Sequence, residues 1–163
     1  MTDSHLAFGT TLRKRRNLFL FLIIFVSLVA LIMFLAWPTT TAQSPFWEVW
    51  VVNEAGQPIE GMTVTLHYQN YSAEPEGHSE QKQTDAGGYV VFSPRSLKAS
   101  RWRRVVTTLQ SAGAGVHASF GPHAWVMAYG NGLEGISVSN GYVTDWTGAP
   151  QRMVSRIVAK PRR

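Results

Sequence analysis

The first hydrophobic pattern in the chain is an unbroken apolar run near its amino terminus. Leu18 to Trp37 contains no charged residue and a single hydroxyl group, that of Ser27. An α-helix of about 20 residues is roughly 30 Å long, which matches the hydrocarbon thickness of a bilayer. The pattern therefore predicts one transmembrane helix over residues 17–37, and Pro38 ends it.

Beyond Pro38 the chain consists of short segments rich in β-branched and aromatic residues, which is typical of strands. Turn formers separate them, including Gly130-Asn131-Gly132 and Asn140-Gly141. The spacing predicts an all-β domain over residues 46–163 with about seven short strands, as in an Ig-like sandwich. The predicted strands are 46–52, 62–68, 81–84, 89–92, 116–120, 124–129 and 153–159.

One segment has the period of a helix instead. Between Arg95 and Ala112, Trp102, Val105, Val106 and Leu109 fall at i, i+3, i+4 and i+7. Ser100 can cap the amino terminus, and Gly113 and Gly115 can end the helix. The pattern predicts a short amphipathic helix or a turn-rich crossover packed on the sheet.

Two turn-rich corners, at residues 53–61 and 84–88, carry a family resemblance. The first has the pattern V-x-x-x-G-x-P-I-x-G-x-x-V and the second T-D-x-x-G-Y-x-x-F. The matching residues are Val52, Gly56, Pro58, Ile59, Gly61, Val64, Thr84, Asp85, Gly88, Tyr89 and Phe92. Together they resemble the carboxypeptidase regulatory-like domains, whose fold is similar to transthyretin.

The resemblance covers roughly the first half of the region after the apolar run. It implies a seven-stranded antiparallel β-sandwich that acts as a structural or binding module, and it does not imply catalysis. The basic stretch Arg101 to Arg104 departs from the family pattern, so the resemblance leaves the strand order of the second half open. The corners themselves are expected to be plain connections, because Gly, Pro and Asn are the residues that such turns require.

Charge predicts the direction of the span. Arg13, Lys14, Arg15 and Arg16 precede it directly, and basic residues beside a span are retained in the cytoplasm. We expect residues 1–16 to form a cytoplasmic basic tail, residues 38–45 a polar linker, and residues 46–163 an extracytoplasmic domain in the periplasm or at the cell surface. Cleavage of a signal peptide near Ala42 is the alternative, although the apolar run is longer than such a signal usually has.

The overall charge adds little beyond this topology signal. The formal net charge is +5 and the sequence pI is near 9.9, but much of the basic excess lies in the amino-terminal cluster. Nucleic-acid binding requires a clustered basic face, so no nucleic acid is expected. The expected partners are the membrane and an unidentified protein of the cell envelope.

Candidate chemistry is sparse. The exported histidines His67, His78, His117 and His123 lack ligand spacing such as H-E-x-x-H, and the chain contains no cysteine. Neither a G-x-S-x-G elbow nor a P-loop occurs. We therefore predict a non-enzymatic protein without catalytic, metal-binding or cofactor-binding residues. Convergence of two histidines with Glu134 or Asp145 in a cleft would favour an enzyme or a metal site instead.

Two other surfaces remain open. Exposed tryptophans on a β-sandwich suggest a carbohydrate-binding module, and Trp47 and Trp50 lie on opposite faces of one predicted strand. Arg101, Trp102, Arg103 and Arg104 can contact anionic lipid or an acidic partner. The plainer interpretation of the Arg-Trp-Arg-Arg stretch is a solvated helix face with one buried tryptophan.

Overall fold

The computed structural model describes the backbone of residues 4–138 and 144–162 and the side chains of residues 15–135 and 144–162. The chain divides into two compact units, Met1–Trp37 and Pro38–Arg163. The predicted turn at Asn140-Gly141 lies outside the described residues.

The first unit is a single helix, α1 (Ser4–Ala36). Within it, Arg15–Ala36 is long and apolar enough to cross a membrane, with a mean hydropathy of 3.3, and none of its most apolar window is buried against protein. The helix begins earlier than predicted, because it continues through the basic cluster into the amino-terminal tail. An apolar helix at this position is compatible with a membrane anchor or a signal sequence.

The second unit is built mainly of strands. In the part of the chain that the structure describes, the strands are β1 (Pro38–Ser44), β2 (Phe46–Val52), β3 (Thr63–Asn70), β4 (His78–Gln83), β5 (Tyr89–Phe92), β6 (Arg95–Ser100), β7 (Pro122–Gly130), β8 (Leu133–Val138), β9 (Asp145–Trp146) and β10 (Arg152–Pro161). Helix α2 (Arg101–Ala112) and a 3-10 turn (Gly115–His117) lie between β6 and β7.

Eight of these strands form one sheet in the order β4-β3-β7-β8-β10-β2-β5, with β9 paired to β7. Strand β8 pairs with both β7 and β10, so it joins two halves that curl around a common core in a nearly closed, barrel-like arrangement. The fully buried residues of that core include Trp47, Leu66, Phe92 and Ile157. Gly135 permits the close passage of β8, because a Cβ atom there would overlap Cγ2 of Ile157.

This arrangement differs in part from the predicted seven-stranded antiparallel sandwich. Strand β10 pairs with β2 in parallel, with Arg152 opposite Phe46 and Val158 opposite Val52. Parallel neighbours need a crossover rather than a hairpin, and here most of the chain separates the two strands. Turn signals between successive strands therefore cannot reveal this pairing.

The two edge strands of the sheet, β4 and β5, are linked by side chains. Lys82 on β4 donates a 2.8 Å hydrogen bond to the carbonyl oxygen of Val91 on β5. Glu80, also on β4, forms an ion pair of 2.6 Å with Arg95 at the start of β6. These polar links occupy the gap where the sheet does not close through backbone hydrogen bonds.

The predicted linker over residues 38–45 is wrong. Pro38–Ser44 forms β1, which pairs with β6 in a separate two-stranded ribbon. Gln43, Ser44 and Pro45 are buried, although nothing in their polar sequence indicates it. Asn70 secures this ribbon, since its side-chain amide donates to Oγ1 of Thr41 across 3.1 Å.

The prediction for the segment between β5 and β7 is correct only in part. Arg95–Ser100 is strand β6, and a helix follows it that is capped as predicted, with the Ser100 hydroxyl accepting from the amide of Arg103 at 3.2 Å. The predicted strand at 116–120 is absent from these described residues. A 3-10 turn begins at Gly115, whose φ of +60° breaks the extended conformation.

Candidate functional site

The outer face of β3 and β7, with the residue that follows β3, presents five aromatic or imidazole rings and one methionine. We call this set the aromatic face: His67, Tyr71, His123, Trp125, Met127 and Tyr129. Alternate residues of a strand point to the same side of a sheet. In β7 the inward residues Ala124, Val126 and Ala128 belong to the core. The intervening residues therefore point away from the core, and none of the six is fully buried.

Trp125 is the centre of the aromatic face. Its register partner on β3 is His67, whose ring lies 5.1 Å away at an interplanar angle of 17°. The ring of His123 lies 5.5 Å from Trp125 at 44°, and Tyr71 continues the row at 6.3 Å from His123. Four rings thus form a continuous, half-buried aromatic strip.

The other end of the aromatic face is polar. The hydroxyl of Tyr129 accepts a 2.8 Å hydrogen bond from the amide of Gln81 and lies 3.4 Å from Oγ1 of Thr65. Met127 and Tyr129 are both about two-fifths exposed. They also line a cavity of about 460 Å³ whose far wall includes Leu133, Glu134 and Arg162. The face therefore offers stacking surface and hydrogen-bonding groups side by side, as ligand sites commonly do.

The candidate histidines are not brought together into one centre. His67 stacks on Trp125 and His123 lies against it at a tilt, while His78 lies beside Glu74 at 2.9 Å. His117 belongs to the exposed 3-10 turn. The prediction that these residues are neither ligands nor catalysts stays a prediction.

Both candidate carboxylates are register partners of residues in the aromatic face. Asp145 on β9 pairs with Trp125, so β7 separates it from His67, and neighbouring strands are about 4.8 Å apart. Glu134 on β8 pairs with Tyr129, and its side chain lies 3.9 Å from Arg162. Among the residues that the structure describes, no group of three or more His, Asp or Glu side chains is placed to hold a metal ion.

A buried carboxylate was missed by the sequence analysis. Glu74 is only 4% exposed, and its Oε1 accepts hydrogen bonds from Nε2 of Gln43 at 2.5 Å and from the amide of Asn70 at 3.0 Å. Its other oxygen faces His78. Glu74 thereby ties β1 to the end of β3. The i, i+4 spacing of Glu74 and His78 is the only sequence signal, and it is weak on its own.

The two turn-rich corners are joined to each other. The amide of Val51 donates to the carbonyl oxygen of Gly88 at 2.8 Å, and the amide of Ile59 donates to the carbonyl oxygen of Val51 at 3.0 Å. Gly88, at φ +67°, leaves no room for a side chain. The hydroxyl of Thr84 accepts from the amide of Met62 and donates to the carbonyl oxygen of Ile59. The motif residues therefore build the corner itself.

A second cavity, of about 400 Å³, lies beside these corners. Its walls include Trp50, Pro58, Gly87, Val154 and Arg156. Nearby on β2 and β5, Tyr89 donates to Glu48 at 3.2 Å, and burial followed by this contact with Glu48 raises the pKa of Tyr89 above 10.0. The phenol therefore remains protonated at neutral pH.

The Arg-Trp-Arg-Arg stretch is divided between two sides of α2. Arg104 turns inward and donates to the carbonyl oxygen of Thr39 at 2.8 Å, whereas Arg103 is exposed. Trp102 is 58% exposed. The interpretation of this stretch as a solvated face with a buried tryptophan is therefore wrong, because the tryptophan is the exposed side chain.

Comparisons with known proteins leave the chain without an assigned family. No protein-family model matches it, and no curated protein matches it. Among solved structures, it is similar to the 3-chlorocatechol 1,2-dioxygenase of Rhodococcus opacus 1CP, with 12% identity and a TM-score of 0.43 over 73% of this chain. The match covers 60% of the dioxygenase chain. A likeness this distant carries no inference about activity.

Proposed function

We propose that this protein is a non-enzymatic, membrane-anchored module of the carboxypeptidase regulatory-like type that binds or supports another component of the cell envelope. One observation carries the anchoring: Arg15–Ala36 is strongly apolar, and none of its most apolar window is buried against protein. Exposing that much apolar surface to water is unfavourable by about 25 cal/mol per Å². A lipid bilayer removes this cost.

The interlocked corners support the regulatory-like assignment. In that interpretation the Gly-x-Pro and Thr-Asp-x-x-Gly motifs exist to make turns, and here Gly88 and Thr84 are occupied with backbone contacts to the other corner. They are not directed at a ligand. The finer description as a transthyretin-like sandwich belongs to the same proposal, with the two halves of the curled sheet as its layers.

The expected orientation rests on the basic cluster ahead of the span, and an accessibility experiment tests it. The natural chain has no cysteine, so a single engineered thiol reports its own position. Ala86 is an exposed corner residue, and we expect Ala86→Cys to react with a membrane-impermeant maleimide in spheroplasts. The matched variant Ser4→Cys is expected to react only after the membrane is permeabilised. The reverse labelling pattern would place the β unit in the cytoplasm.

The aromatic face is the proposed binding surface, because its rings are partly exposed and lie on the side of the sheet away from the core. Co-purification from gently solubilised membranes, followed by mass identification, tests this. Trp125→Ala is expected to reduce recovery of the partner by about tenfold or more, as removal of a central aromatic anchor usually does. Trp50→Ala removes a half-buried tryptophan of β2 that packs on Tyr89 at 4.9 Å, and it serves as the matched control. Equal losses in both variants would refute the assignment of the face.

Carbohydrate binding is the second candidate function. The observation that favours it is the half-buried strip formed by Trp125, Tyr71, His67 and His123. Trp50, Trp102 and Trp125 lie on three separate elements, so a platform would depend on Trp125 alone. Affinity electrophoresis through envelope polysaccharides, with Trp125→Ala beside Trp102→Ala, separates the two candidates. Carbohydrate binding would be favoured if the polysaccharide retards the natural chain and Trp102→Ala but not Trp125→Ala.

A further inference from the structure

Helix α2 presents its apolar side to the outside of the β unit. Trp102, Val105 and Leu109 are 58%, 45% and 68% exposed, whereas the polar residue Thr107 is 4% exposed. The sequence period predicts the opposite orientation. A three-residue apolar stripe along one side of a helix is too contiguous to be explained as scattered surface residues.

Polar contacts account for this orientation. Arg104 donates to the carbonyl oxygen of Thr39 and approaches Oγ1 of Thr41 on β1. Near the other end of the helix, the hydroxyl of Ser111 donates to the carbonyl oxygen of Tyr71 at 2.8 Å. These contacts hold the polar side of α2 against the ribbon and the sheet, so the apolar side faces outward from the residues of the unit that the structure describes.

The sequence around α2 is basic. No Asp or Glu occurs in the sequence between Asp85 and Glu134. Lys98 and Arg103 are exposed within this acid-free segment. Amphipathic helices with apolar and aromatic residues on one side and basic residues beside them are typical of the interface of an anionic bilayer.

Chain connectivity fixes how far α2 can be from the end of the apolar helix. Helix α1 ends at Ala36, and β1 begins at Pro38. Pro38 is the register partner of Ser100, the residue that caps α2. Bonded neighbours are about 3.8 Å apart and paired residues about 5 Å apart. Ser100, the residue that caps α2, therefore lies within roughly 10 Å of Trp37 through these two steps.

We propose that α2 lies in the headgroup region of the bilayer that α1 crosses, with Trp102, Val105 and Leu109 at the acyl boundary and Lys98 and Arg103 beside anionic headgroups. This inference rests on the proposed anchoring by α1. Helix α2 then acts as a second membrane contact that limits rotation of the β unit.

The test places a fluorophore on each part of the full-length chain in liposomes of phosphatidylethanolamine and phosphatidylglycerol. Leu109→Cys, Ala86→Cys and Ile24→Cys each carry an environment-sensitive label, and nitroxide lipids quench at shallow or deep positions. We expect shallow nitroxide to quench the label at position 109 about twofold or more over the label at Ala86. We also expect the double substitution Trp102→Ser with Val105→Ser to abolish that difference, while circular dichroism stays unchanged.

The three labels separate the possible failures. Deep quenching at position 24 with water-like, unquenched emission at position 109 would overturn the placement of α2 and leave the anchor intact. Blue-shifted emission at position 109 that is insensitive to nitroxide lipid would mean that protein covers the helix, and it would overturn the placement as well. Failure of the chain to float with the liposomes would overturn the anchoring and this inference together.

Discussion

The amide of Val51 donates a 2.8 Å hydrogen bond to the carbonyl oxygen of Gly88, and through it the two turn-rich corners become one structural unit. Val51 lies at the end of β2 and Gly88 just before β5, and these strands are also neighbours in the sheet. The two corner motifs are separate in the sequence, and this contact joins them in the fold.

Replacing Gly88 with alanine tests how tightly the corners fit. A Cβ atom at Gly88 would lie 2.5 Å from the carbonyl oxygen of Val51 and 3.0 Å from the amide nitrogen of Ile59. We expect this overlap to destabilise the fold by about 1–3 kcal/mol, in addition to the cost of a left-handed alanine. Urea unfolding of the full-length chain in detergent micelles measures the change.

Gly61→Ala is the matched control for that variant. Gly61 has a similar φ of +72°, but a Cβ atom there meets nothing within 4 Å. We expect only the left-handed penalty, about 1–2 kcal/mol. Equal losses of stability in Gly61→Ala and Gly88→Ala would contradict close packing of the corners.

The hydroxyl of Thr84 is predicted to be the most important side-chain contact in the corners. Thr84 is 4% exposed, and its Oγ1 lies 3.0 Å from the amide of Met62 and 2.7 Å from the carbonyl oxygen of Ile59. Thr84→Val preserves the shape but leaves the buried amide of Met62 and the part-buried carbonyl of Ile59 without this partner, so we expect a loss of about 2–4 kcal/mol in unfolding experiments. Thr84→Ser retains the hydroxyl and should lose much less; a similar loss in both variants would assign the effect to packing.

The strands with a clear alternation were predicted from sequence because local residue chemistry determines them. Phe46–Val52 has the predicted bounds, and the segment at 62–68 was predicted within one or two residues of β3. The ribbon of β1 and β6 was missed because it is specified by distant contacts: Gln43 donates to Glu74, and Thr41 contacts Asn70 and Arg104. The local pattern of hydrophobic and polar residues does not indicate such distant contacts.

Local sequence also fails to predict which side of α2 faces the sheet. Its period and its Ser100 cap follow from local sequence, and both were predicted. That orientation depends on the hydrogen bonds that Arg104 donates to Thr39 and Ser111 donates to Tyr71. The aromatic face was likewise outside the reach of sequence analysis, because the pairing of β3 with β7 is what brings His67 onto Trp125.

Glu74 is predicted to secure the ribbon to the sheet. Glu74→Ala leaves the amide of Asn70 and the side-chain amide of Gln43 without their acceptor in a buried site. We expect a loss of about 2–4 kcal/mol in urea unfolding. His78→Ala removes the half-exposed partner of the same carboxylate, 47% exposed, and should cost below about 1 kcal/mol. Comparable losses in the two variants would mean that Glu74 acts mainly through His78.

Acid is expected to weaken the link between β4 and the start of β6. Partial burial alone would raise the pKa of Glu80, but the hydrogen bond and charge of Arg95, followed by Lys82, outweigh it and hold the pKa below 4.5. A lowered folded-state pKa stabilises the fold above the unfolded-state value, and this contribution is lost as the pH falls through the folded-state pKa. Because Arg95 is 45% exposed, we expect a contribution below about 1 kcal/mol.

Glu80→Gln therefore lowers the free energy of unfolding at pH 7 and makes the decline below about pH 4.5 shallower than in the natural chain. Urea unfolding in micelles at pH 7, and then in steps from pH 5 to pH 3, measures both effects. Glu54→Gln is the matched control, since Glu54 and its partner Lys160 are 66% and 55% exposed at a separation of 3.5 Å. Glu54→Gln should therefore have little effect on the free energy of unfolding at pH 7. If the natural chain and Glu80→Gln lose stability in parallel on acidification, the ion pair between Glu80 and Arg95 does not contribute to acid sensitivity.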